Sequence, residues 1–112
     1  MIAAHIFVLR ILMFIAMNRF KISKDFCDEF EQIWRERDSY LEQVAGFKSF
    51  NLLKSAEYED FVLYASHSVW EHEDAFIAWT KSEEFRLAHR QASAPKGTYV
   101  SHPKLETFTS IL

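Results

Sequence analysis

The sequence predicts an α+β fold, with a four-stranded antiparallel sheet carrying helices on one face, in the β-α-β-β-α-β order of the ferredoxin-like plan. Two observations predict it. Apolar residues alternate with period two over 13–20, with 47–54, 60–70 and 104–111 reading as further strands, and apolar residues recur with the helical period over 24–44 and 83–93. No repeat, low-complexity tract or flexible linker divides the 112 residues, which include only two Gly and two Pro, so one domain is expected.

Each element has its own signal. In the first strand, Phe14, Ala16, Asn18 and Phe20 share one face, and Ile15, Met17 and Arg19 the other. The stripe Phe26, Phe30, Ile33, Trp34, Leu41 and Val44 predicts a helix over 24–44. Ser23 is its expected N-cap, with Asp25 in the first turn, and Gly46 its stop. Residues 47–54 and 60–70 read as a hairpin around the turn segment S-A-E-Y-E-D. A short helix follows over 72–79. Ser82, with Glu83 and Glu84 behind it, signals a fresh N-cap, so the helical region should break near Lys81. The second piece, 83–93, places Phe85, Ala88, His89 and Ala92 on one face. Ala94-Pro95-Lys96-Gly97 ends it, and a loop through Tyr99 and His102-Pro103 leads to a last strand over 104–111. Helices on one face leave the other face of the sheet uncovered. Strands this rich in Phe, Leu and Val cannot meet water on both sides, so a homodimer closing into a dimeric α+β barrel is expected.

The composition narrows the function classes. Hydrophobic residues make up 49% of the chain, including eleven Phe, three Trp and four Tyr, which suits a dense core or a pocket for a flat apolar ligand. The net charge is −3 and no basic stripe is present, so nucleic acid is not an expected partner. The lone Cys27 excludes an intramolecular disulfide and the usual zinc spacings. It reads as a packed thiol in a reducing cytoplasm. Met1–Met17 is apolar, but His5 and Arg10 interrupt it, and it falls short of the ~20 residues of a spanning helix. It also lacks the flanks of a signal peptide. No membrane association is expected. Residues 1–12 read as an N-terminal extension, with Met13 or Met17 as alternative starts, ahead of a domain at 13–112.

Three residues stand out as chemistry-bearing. Asn18 is an amide on an apolar strand face, where an unsatisfied polar group costs about 1–3 kcal/mol. His89 is the one histidine of five on an apolar helical face, and small alanines flank it. No second histidine lies three or four residues away, so the only metal role offered is that of a single axial ligand. Trp79 precedes His89 by ten residues, and a break at Lys81–Ser82 can bring both into one cavity. Taken singly, each also has an ordinary reading. Asn18 can be a satisfied structural amide, and Trp79 and His89 can be packing residues.

The segments F-I-A-M-N-R-F, G-F-K-S-F-N-L-L and S-V-W-E-H-E-D-A-F-I-A-W-T-K-S-E-E-F-R-L-A-H-R resemble the haem-degrading monooxygenases of the IsdG type, and among them the HmuQ branch, within the antibiotic-biosynthesis-monooxygenase superfamily. The resemblance spans about residues 13–112. It implies a functional triad of Asn18, Trp79 and His89, with His89 as the iron ligand. One departure is Val44-Ala45-Gly46-Phe47 where Leu-Pro-Gly-Phe is common; it loses a rigid turn residue but no reactive group. The resemblance further implies haem as both substrate and cofactor. Oxygen would be activated on its iron with electrons from an external donor or reductase, and the porphyrin opened at a meso carbon. Iron and a biliverdin-like linear tetrapyrrole would be released, for iron acquisition from haem. A cofactor-free monooxygenase of the same superfamily acting on a quinol or phenol, and a non-catalytic haem-binding protein, are the alternatives.

Overall fold

The computed structural model describes residues 12–37, 39–91 and 93–112. The expected extension lies outside the described residues up to residue 11, as does Ala92. Four strands, β1 (Phe14–Ser23), β2 (Phe47–Glu57), β3 (Phe61–Trp70) and β4 (Lys104–Thr109), form one antiparallel sheet in the order β2-β3-β1-β4. The helices α1 (Cys27–Glu36), α2 (Glu73–Thr80) and α3 (Glu83–Gln91) complete the expected ferredoxin-like order.

The sheet alternation decides what meets the helices. Phe14, Ala16, Phe20 and Ile22 of β1 are buried, as are Val62, Tyr64 and Trp70 of β3. The core falls into two clusters. One gathers Phe14, Ala16, Trp70, Trp79 and Ala88, and the other Phe20, Ile22, Phe30, Val62 and Tyr64. Along β1 the division falls at Asn18, and along β3 at Ser66 and Ser68. Polar residues in both central strands therefore split the core.

The first helix differs most from expectation. It ends at Glu36 instead of running to residue 44, because Arg37 is extended (φ −74°, ψ 144°) and Tyr40 is left-handed at φ 59°. A single 3₁₀ turn, Leu41–Gln43, follows, and Leu41 enters the core from that turn. Ser23 does not cap with its side chain. It ends β1, and its carbonyl accepts from the Cys27 thiol at 3.6 Å. The helix is pinned to the sheet by Glu31, which accepts from the Tyr64 hydroxyl at 2.5 Å and from Lys54 Nζ at 2.9 Å. Gly46 is no helix stop. It turns the chain into β2 at φ +83°, where a Cβ would stand 2.5 Å from that of Ala75.

The remaining helix signals hold. Ser82 Oγ accepts from the Phe85 amide at 3.1 Å and begins α3, and α2 ends just before Lys81. His72 is exposed and also caps α2, its Nδ1 accepting from the Ala75 amide at 3.3 Å. The loop after α3 is tied to β1 by Ser23 N–H to the Thr98 carbonyl (2.9 Å) and Val100 N–H to the Lys21 carbonyl (2.8 Å). No helix among the described residues is long and apolar enough to cross a membrane.

Candidate active site

Where polar residues divide the core, the space is not filled. A cavity of about 430 Å³ opens between the sheet and the helices, within the range of small-molecule and cofactor sites. Asn18, Trp79 and His89 all line it. Three elements that are distant in sequence thus bring the expected residues to one space.

Each is held differently. Asn18 is half-buried on β1, and its side chain has no hydrogen-bond partner among the described residues. Trp79 is only 6% exposed. It stacks on Trp70 at 6.3 Å and meets the edge of Phe85 at 5.3 Å, so it forms a fixed wall. His89 is exposed near the end of α3, with its ring 3.9 Å from that of Phe85. Its Nδ1 lies 2.8 Å from the Phe85 carbonyl oxygen. A carbonyl only accepts, so that contact requires the proton on Nδ1, and in the neutral ring Nε2 is then the nitrogen with a lone pair. This is the backbone-carbonyl arrangement that orients metal-binding histidines. Among the described residues, no cluster of three or more His, Cys, Asp or Glu could hold a metal by itself. A single axial ligand is what the site offers.

Two further lining residues were not legible in the sequence. Arg37 sits in the extended segment after α1, with its guanidinium 4.0 Å from the Trp34 ring centroid. No carboxylate among the described residues lies within ion-pair distance of it, and burial pulls its pKa below the ordinary arginine value. The loop residue Tyr99 also lines the cavity, and burial raises its pKa. Arg37 lies outside the apolar stripe of the expected helix, and it follows the early end of α1 at Glu36 in extended backbone. Ser66 faces the cavity from β3, directly across from Asn18. Its signal was present as the two serines that interrupt the alternation of Val62, Tyr64 and Trp70.

Remaining Phe and Trp side chains give the cavity aromatic walls, and its polar groups are few. A large, flat, mainly apolar molecule with an acidic edge and one site for an imidazole ligand fits this donor set.

The chain is similar to several known proteins. A heme oxygenase (staphylobilin-producing) from Staphylococcus aureus strain Newman is 30% identical over 77 residues, covering 69% of this chain and 71% of the relative. The structure of the heme-degrader MhuD from Mycobacterium tuberculosis, with two hemes bound in its active site, superposes with a TM-score of 0.68 at 22% identity, covering 88% of this chain and 96% of the other. SnoaB, a cofactor-independent oxygenase from Streptomyces nogalater, superposes with a TM-score of 0.66 at 21% identity, covering 89% and 94%. The profile of the family described as Antibiotic biosynthesis monooxygenase matches residues 13–91, most of the described domain. By that match, and by its likeness to the staphylococcal enzyme, the chain belongs to the antibiotic biosynthesis monooxygenase family.

Proposed function

We propose that this protein is a haem-degrading monooxygenase in which Asn18, Trp79 and His89 form the working set. The observation that carries the reading is the placing of His89, its Nδ1 held 2.8 Å from the Phe85 carbonyl oxygen, on the rim of a 430 Å³ aromatic cavity that Asn18 and Trp79 also line. The likeness to the staphylococcal heme oxygenase supports it.

Haem would supply both an iron atom that activates dioxygen and the ring that is opened. The chain's own residues do the rest. His89 would hold the iron through Nε2, with the Phe85 carbonyl orienting the ring through Nδ1. Asn18 would offer an amide N–H to oxygen bound in the cavity, where a dipole placed in advance stabilises developing negative charge. Trp79, braced by Trp70 and Phe85, would present a rigid wall against the face of a flat macrocycle. The Arg37 guanidinium suits the carboxylates at a porphyrin edge. The aromatic walls keep out water, which limits side reactions of activated oxygen. Electrons come from an external donor, either a reductase or a chemical reductant.

The protein would act as a homodimer. The sheet face away from the helices carries Ile15 and Met17 of β1, with Val69 and Phe108 paired beside Ile15. Phe108 is 50% exposed and Leu53 of β2 is 43% exposed, an apolar surface that a second copy would cover. Sedimentation at micromolar concentration tests this, and a monomer there would refute it.

The enzymatic reading is tested by titrating the purified protein with haem and then adding ascorbate in air. A stoichiometric Soret band that decays, with iron release and a bilin spectrum, is expected. A band that persists identifies a haem carrier. The absence of any Soret shift identifies a cofactor-free oxygenase, the activity of SnoaB, and leaves His89 Nε2 without a use.

A further inference from the structure

The interval between Trp79 and His89 contains one polar side chain that the triad does not account for. On one straight helix, residues ten apart stand about 80° from each other around the axis and about 15 Å along it. Here the chain breaks between α2 and α3 instead, and both side chains reach one cavity. Ser82 sits in the break, half-buried and outside the cavity lining.

Its hydroxyl works in two directions. A carbonyl only accepts and an amide N–H only donates, so the roles are fixed. Ser82 Oγ donates to the Trp79 carbonyl at 2.7 Å and accepts from the Phe85 amide at 3.1 Å. The Phe85 carbonyl oxygen in turn lies 2.8 Å from His89 Nδ1 and accepts its proton. Three hydrogen bonds therefore run in series from the backbone of Trp79 to the ring of His89. The Phe85 side chain spans the same interval, with its ring 5.3 Å from that of Trp79 and 3.9 Å from that of His89.

A helix cap has only to accept from amides of the first turn. Donation to the Trp79 carbonyl is a second task that capping does not require. That carbonyl already accepts from the Ser82 amide at 3.0 Å, so the backbone closes α2 without help from the hydroxyl. What the hydroxyl adds is a tie between the end of α2 and the start of α3. We propose that Ser82 is a positioning residue: by bridging the Trp79 carbonyl and the Phe85 amide, it sets where His89 stands relative to the Trp79 ring. The bridge is present in the haem-free chain, and its consequence for the reaction rests on the haem reading.

Three substitutions separate the bridge from the cap. Ser82→Ala loses both bonds. Ser82→Asp keeps an acceptor for the Phe85 amide, but its carboxylate has no proton for the Trp79 carbonyl and is repelled by it. Ser82→Thr keeps both. In the haem-free protein, ¹⁵N–¹H NMR follows the Trp79 indole N–H, assigned by its loss in Trp79→Phe, and the ring nitrogens of His89, assigned in His89→Ala. Ser82→Ala and Ser82→Asp should both shift these signals, and Ser82→Thr should return them to their wild-type positions. Wild-type signals in Ser82→Asp would overturn the proposal by showing that the cap alone suffices. Because Ser82→Asp retains the cap, it reports on the bridge even where Ser82→Ala fails to fold. In the haem-loaded protein, resonance Raman of the reduced form reads the iron–histidine stretch. Ser82→Asp should shift or broaden that band and Ser82→Thr should match the wild type; an unaltered band in Ser82→Asp would overturn the role in placing His89. A wild-type protein that takes up no haem would refute the haem reading, and the NMR signals would still decide the bridge.

Discussion

Replacing Trp79 separates its two jobs, packing and steric pressure. The side chain is 6% exposed and belongs to the cluster around Trp70. A buried Trp removes about 200 Å² from water, worth roughly 5 kcal/mol at ~25 cal/mol per Å². Truncations of this kind cost about 3–5 kcal/mol, against a total stability of about 5–15 kcal/mol for a domain. Trp79→Ala should therefore lower the urea midpoint sharply, and lost turnover in that variant would say little about chemistry. Trp79→Phe keeps an aromatic ring between Trp70 and Phe85 and should cost only about 1–2 kcal/mol. It should bind haem as the wild type does, yet open the ring at least about tenfold more slowly, equivalent to ~1.4 kcal/mol of barrier. The assay is a urea series followed by circular dichroism, a Soret titration, and single-turnover decay with ascorbate. Wild-type turnover in Trp79→Phe would refute the steric role. A loss below about 1 kcal/mol in Trp79→Ala would refute the packing role.

Three further outcomes are expected. His89 is exposed, so His89→Ala should leave stability within about 0.5 kcal/mol and abolish the axial-ligand spectrum, and added imidazole should restore that spectrum. An unchanged spectrum would assign the ligand elsewhere. The Tyr64 hydroxyl first, and Lys54 second, hold the Glu31 carboxyl below its usual 4.5, so its contribution to stability is complete above that value and is lost as pH falls through the depressed one. Tyr64→Phe should flatten the acid loss of stability below about pH 4.5, measured by urea midpoints across pH, and an unaltered profile would refute the assignment. Gly46→Ala meets the Ala75 Cβ at 2.5 Å as well as a left-handed φ, whereas Gly97→Ala has φ +93° but no atom nearer than 3.6 Å. The first should cost about 2–4 kcal/mol and the second about 1 kcal/mol; equal midpoints would show that the approach to Ala75 is not limiting.

The elements were legible where local chemistry dominates. Ser82 announced α3 because a capping hydroxyl acts on its own chain within three residues. The alternation of β1 placed Asn18 among apolar neighbours because strand periodicity needs no tertiary information. The end of α1 was not legible. The apolar spacing of Leu41 and Val44 mimics a continued helix, but a left-handed Tyr40 and a 3₁₀ turn deliver Leu41 to the core by another route. That misreading concealed Arg37, whose direction depends on where the helix stops.

The sequence alone determined the order of elements, the family and the identity of three residues with chemistry to offer, because side-chain period, caps and residue type are local properties. Only the tertiary structure decided that Asn18, Trp79 and His89 share one cavity, and that Arg37 and Ser66 join them. These depend on strand register, on where helices end and on which side chains lack partners, and those properties arise only when distant segments pack together.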